Sequence, residues 1–336
     1  MRVLRIPLPA ALIDQMDALV ALGRGGMDSR AALAREAIEA MVLELRYGTA
    51  DSPDAPGAET GSTVVTEPVL ASDDDTTSTA LAAPRQPARF VGEPRPAGAD
   101  EAPLFGLHNR DYPSLWAAGR LCDMTEAGPI SFEPALRDLV SEAWDLGHRL
   151  AQYDGKVPGK PSALFPTNRE KPQAAESAFT NFAIGSVVSD GEGNLSGTGP
   201  LFAWKILGIA GSDDGASVGI TEAGYSLLRD MAGLAVTQPH TEEHAMRFLG
   251  YIREHAAGDR RGFEAMLRAV GNGVTRPELI EIFSNQWPNW TPTEAATNAA
   301  GYIARGREWG FVEPAQVEGL YLLTDLGKRL WAETDQ

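Results

Sequence analysis

The chain has 336 residues, one cysteine and a formal net charge of −17. A lone Cys122 excludes an intramolecular disulfide and a cysteine-rich zinc centre, and reads as a small buried apolar side chain. No apolar run reaches the roughly 18 residues of a membrane helix, so the expectation is a cytoplasmic protein of two or three domains without a membrane span. The charge is uneven. Residues 1–48 hold six basic and six acidic side chains, residues 49–105 three and ten, and residues 106–336 twenty and thirty. A polyanion-binding face therefore belongs to the N-terminal piece or to a local patch.

At the start, VLRIPLP alternates residue by residue: Leu4, Ile6 and Leu8 share one face, Val3, Arg5 and Pro7 the other, and Pro9 ends the strand. A helix over 10–22 follows, with Leu12, Met16, Leu19 and Val20 on one side, and the glycines of 23–26 break it. Asp28 or Ser29 caps a second helix to about Arg46, striped by Leu33, Ala37, Ile38, Met41, Val42 and Leu45. A single strand and two helices in 48 residues lack both a strand partner and a sufficient core. A homodimer supplies both, as an antiparallel ribbon over four helices.

The stretch LRIPLPAALIDQMDAL followed by SRAALAREAIEAMV resembles the ribbon-helix-helix domains of the Arc/MetJ/CopG type. The resemblance implies that the paired strands enter the major groove of double-stranded DNA. It also implies that Val3, Arg5 and Pro7 face base edges, with Arg5 able to make a bidentate contact to guanine. Ser29 and Arg30 at the second helix start, together with Arg2, would hold backbone phosphate.

Residues 49–105 are rich in Pro, Asp, Thr, Ala and Gly, and are expected to form a disordered acidic linker separating its ends by about 40 Å. VVTEPVL at 64–70 stands out inside it as a short partner-binding motif.

All seven tryptophans lie beyond residue 115, so the large core belongs to the C-terminal region, divided at 106–235 and 236–336. Helical spacing predicts amphipathic helices over 135–153, 242–255 and 262–270, with GDRR at 258–261 a polar turn between the last two. Two stretches repeat: VGITEAGYSLLRDM from Val218 and YLLTDLGKRLWAET from Tyr321, each leading from an extended apolar pair through Thr and an acidic residue into a helix. Upstream of the second copy, 276–283 and 293–309 read as helices around the turn SNQWPNW, and 313–319 as a wing tip. Helix, turn, helix, hairpin, helix resembles a winged-helix domain, and the first copy resembles one more weakly over about 130–235. The expected fold class is therefore mainly α: a ribbon-helix-helix dimer module, a linker, and an α+β region of tandem winged helices. On that resemblance Asn298, Arg305 and Arg307 of the last long helix form a second DNA contact.

Enzyme motifs do not assemble. His240 and His244 have the H-x-x-E-H spacing of a zinc site, but Thr241 reads as a helix cap that leaves His240 outside the helix. The glycine-rich run 191–199 lacks phosphate-loop spacing and reads as a hairpin or exposed loop. The expectation is a dimeric, sequence-specific DNA-binding regulator with no catalytic residue, metal or cofactor. The alternative is a DNA-bound partition or scaffold protein whose acidic C-terminal domains recruit a protein partner. An antitoxin fits less well, because so long an ordered region follows the ribbon.

Overall fold

The computed structural model describes residues 79–90, 92–96, 110–157, 160–190, 192–212 and 215–334. The expected ribbon, its base and phosphate contacts and the 64–70 motif lie outside these residues. The described residues form one α+β unit. No described helix is long and apolar enough to cross a membrane.

The unit consists of two successive halves. The first runs α1 (Tyr112–Met124), β1 (Ile130–Ser131), α2 (Phe132–Leu150), two single 3-10 turns (Ala151–Tyr153 and Pro161–Leu164) and α3 (Pro172–Phe179). A π-helical turn (Thr180–Ile184) follows, then the hairpin β2 (Ser186–Ser189) and β3 (Leu195–Thr198), the short α4 (Pro200–Ala203), the hairpin β4 (Leu207–Ser212) and β5 (Gly215–Ile220), and α5 (Glu222–Asp230). The second half runs α6 (Glu242–His255), α7 (Ala257–Gly271), α8 (Arg276–Gln286), α9 (Pro292–Glu308) and α10 (Asp325–Thr334).

Both halves thread their small sheets alike. In the first, β1 pairs with β5 and β5 with β4, all antiparallel. In the second, Val274 bridges to Tyr321 and Leu323 to Val312, again earliest, latest, middle. The duplicated sequence marks equivalent corners at atomic detail. Thr221 Oγ1 accepts from Gly224 N, and its hydroxyl donates to Lys205 O at 2.7 Å; Thr324 Oγ1 accepts from Gly327 N, and its hydroxyl donates to Gly310 O at 2.6 Å. The carbonyl-bearing residues Lys205 and Gly310 both have positive φ, 59° and 73°. Gly224 and Gly327 are needed because a Cβ would lie 2.7 Å from Ile206 O and 2.1 Å from Phe311 O.

Two sequence expectations are corrected, and the two halves prove unequal. GDRR is no turn: 258–261 lie inside α7, where Asp259 is buried by contacts from distant residues. The helix before Trp309 spans a full α9, but its counterpart before Trp204 is only the four-residue α4. The linker is not wholly disordered, since 79–90 and 92–96 form a strap across the body. Leu81 exchanges backbone hydrogen bonds with Gly233 and Leu234, Glu93 O accepts from Ile209 on the free edge of β4, and Arg95 O accepts from Gly197 on β3. The Phe90 ring lies over Gly208 and Gly219, where a Cβ would come within 2.7 and 2.5 Å of it. The Cys122 thiol, buried as expected, donates to Arg85 O of the strap, and burial pushes its pKa up to about 11.

Candidate nucleic-acid interface

Of the residues expected to make a second DNA contact, the structure withdraws two. Arg305 is wholly buried and Asn298 nearly so, the latter donating back to Glu294 O. Arg307 is half-buried, with Nε donating to Glu313 O at 3.2 Å and its guanidinium 5.4 Å from the Tyr321 ring centroid. Helical geometry explains the correction. Asn298, Tyr302 and Arg305 recur at four- and three-residue steps with Ala295 and Ala299, so they belong to the core-facing stripe of α9. Its outward face presents Thr293, Thr297 and Ala300, and the following hairpin tip carries an exposed Glu318. This side of the second half offers no cluster of cations to phosphate.

Arg305 instead locks the halves together. Its Nη1 and Nη2 donate to the two oxygens of Asp259 at 2.7 and 2.6 Å, and its Nε stands 2.7 Å from Asp111 Oδ1 as an ion pair not aligned as a hydrogen bond. The lock is reciprocal. Trp204 of the first half donates its indole N–H to Asp259 of the second at 2.9 Å, and Trp309 of the second donates to Asp111 of the first at 2.7 Å. Phe248 lies between them, stacked on Trp309 at 4.4 Å and edge-on to Trp204 at 5.5 Å. Glu308 receives the backbone N–H groups of Asp111 and Tyr112, capping α1 from the other half. His240 Nε2 is 3.4 Å from Glu308 Oε1, and α6 is capped by Thr241, whose side chain accepts from His244 N. Among the described residues no group of His, Cys, Asp and Glu has the makings of a metal site.

Burial sets the electrostatics of this cluster. It raises the Asp111 carboxyl most; Arg305 pulls it back, Glu308 and Asp259 push it up again, and the result stands at about 7. Arg305 stays charged, held well above its ordinary value by Asp111 and Asp259 against the pull of burial. The Tyr302 hydroxyl, buried and donating to Asp259, is also raised well above its usual range. The arrangement is that of a structural lock, in which the charged side chains and the two indoles of the two halves face one another.

A different surface is built by a long insertion in the first half. Residues 151–199 stand where the second half has only the turn 287–291, and the beginning of this insertion folds back on the end of α2. Pro166 and Thr167 press against Gly147, where a Cβ would come within 2.7 Å of Pro166 O. Asp154 accepts from the backbone N–H and the hydroxyl of Ser162. Phe165 anchors the fold, with its ring centroid 5.3 Å from Trp116 and 5.6 Å from Phe179. Arg169 Nε donates to His148 Nε2 at 3.1 Å; His148 then carries its proton on Nδ1, donates to Trp144 O, and stacks on the Trp144 ring at 5.8 Å. Beside this stack, α2 and α3 enclose an open cleft of about 490 Å³ lined by Arg137, Ser141, Trp144, Ser177, Thr180 and Asn181. Its one carboxylate, Glu176, is bound by the Trp144 indole N–H at 3.0 Å.

Comparison with protein-family models, curated proteins and solved structures returns no match, so the functional reading rests on the chain's own residues.

Proposed function

We propose that this protein is a dimeric, sequence-specific DNA-binding regulator that reads the major groove through residues 1–48 and carries a rigid pair of winged-helix units behind them. The observation that supports it most is the repeated sheet order, β1–β5–β4 in the first half and Val274–Tyr321, Leu323–Val312 in the second, each closing into a Thr-capped helix. That order, with α7, α8 and α9 before the last hairpin, agrees with a winged-helix arrangement. It agrees with a DNA-bound chain whose N-terminal stretch has ribbon-helix-helix spacing.

The scaffold reading has its own support. The outward face of α9 is uncharged, its hairpin tip is acidic, and Trp287 and Trp290 stack at 4.7 Å in the turn before it. Such a surface suits a protein partner better than phosphate. In this reading the second half recruits, whatever the DNA-bound dimer controls.

The test is binding of the full chain and of its Arg5→Ala variant to the DNA upstream of its own gene. Arg5→Ala should cost about 1–3 kcal/mol per half-site and relax the preference at one base pair, leaving affinity for unrelated duplex almost unchanged. Equal specificity of the two proteins would remove the ribbon from the reading.

A further inference from the structure

We propose that the cleft between α2 and α3 binds a small extended zwitterion, one carboxylate and one ammonium group joined by an apolar spacer. The inference stands on this surface alone and does not need the DNA-binding reading above.

Two opposite charges left apart are the first support. Arg137 and Glu176 are the only ionisable side chains that line the cleft. Arg137 is exposed, and among the described residues it has neither a hydrogen bond nor an ion pair. Glu176 commits Oε1 to the Trp144 indole N–H at 3.0 Å, and its Oε2 accepts from no described residue. The guanidinium and the carboxylate therefore share one space without pairing with each other. A lone anion or a lone cation would meet a like charge there, whereas a zwitterion meets only opposite ones.

Spacing is the second support. Arg137 stands two helical turns before Trp144 on α2, roughly 10 Å along the axis. Glu176 is fixed at the Trp144 end by its indole bond, so the two charges are carried from opposite ends of the cleft. Between those ends lie Val140 and the half-buried Trp144 ring. That apolar stretch suits a methylene spacer, and an ammonium group beside the indole gains a cation–π contact as well.

The opposite wall is the third. Thr180 and Asn181 open the π-helical turn that follows α3, a departure from regular helix that recurs at functional sites. Their hydroxyl and amide add hydrogen-bond partners for a carboxylate. The cleft volume, about 490 Å³, is in the range of small-ligand sites. A ligand spanning it ties α2 to the element that leads into the first hairpin.

The experiment measures heats of binding to the full chain, without DNA, for glycine, γ-aminobutyrate and ε-aminocaproate. Caproate and hexylamine serve as analogues that lack one charge. Affinity should rise with spacer length, and ε-aminocaproate should bind at least about tenfold tighter than either analogue. Arg137→Gln and Glu176→Gln should each weaken ε-aminocaproate about tenfold, the first sparing hexylamine and the second sparing caproate. Lys328→Gln on α10 should change nothing. Gln at 176 keeps an oxygen for the Trp144 indole, and an unchanged melting temperature will show each variant folded. The inference is overturned if no member of the series binds at millimolar concentration, or if glycine binds most tightly. Equal affinity for ε-aminocaproate and for an analogue lacking one charge overturns it too, as does unchanged affinity in either variant. None of these readings involves Arg5, so this inference and the DNA-binding reading fail separately.

Discussion

Between Asp111 and Asp259, Arg305 has no contact with solvent, and its loss leaves two carboxylates facing each other in the core. Breaking such a buried arrangement costs about 3–5 kcal/mol, so Arg305→Ala should lower the urea midpoint sharply; a shift no larger than that of an exposed Arg149→Ala would sink this account. The same cluster makes stability depend on pH. With its folded pKa near 7, above the unfolded value of about 3.9, Asp111 contributes stability that is complete below pH 4 and lost as pH rises through 7. The groups facing it are Arg305, Glu308 and Asp259, with His240 behind Glu308. Asp111→Asn cannot titrate, so wild type should gain stability over this variant on going from pH 8 to pH 5. A constant difference across that range, measured by urea unfolding, would remove the raised carboxyl.

Local chemistry made some elements readable and hid others. Thr221, Thr241 and Thr324 each cap a helix where the sequence predicts, because capping is decided within four residues. Thr324→Ala and Thr221→Ala should each cost about 1 kcal/mol in thermal or chemical unfolding, and similarly in the two halves if the corners are equivalent. GDRR and Arg305 misled for one reason: a charged residue reads as exposed until its partners are known, and here those partners lie dozens of residues away. The strap was hidden by composition. Its Pro- and Ala-rich text buries little by itself, and Phe90 finds its seat only on glycines of two later strands. Phe90→Ala should free the strap, increasing tryptic cleavage after the exposed Arg89 several-fold and leaving the helical circular dichroism unchanged. Unchanged cleavage would place the anchoring elsewhere along the strap.

At the scale of the whole molecule, the order of the elements was legible in the second half, where helices and hairpin follow one another closely. It was obscured in the first, where 151–199 intervene. What no local pattern revealed is that the halves are joined through their cores. Trp204 and Trp309 each report on the opposite half through an aspartate, so tryptophan fluorescence and far-ultraviolet circular dichroism should unfold residues 70–336 along a single coincident curve. Separate transitions in the wild-type chain would show that the lock is weaker than its geometry.

The lock is reciprocal in its tryptophans but not in its cation. Counting back from Trp204 as Arg305 stands before Trp309, the first half has Pro200, so one guanidinium serves two carboxylates from different halves. Neither half is then a portable module. Cut between residues 235 and 240, the first piece would carry Asp111 with no counter-ion, and the second would expose Phe248 and Trp309 to water. Any rearrangement of the gene that divides this region yields a fragment for the cell's proteases, so recombination can move the body only as one indivisible block.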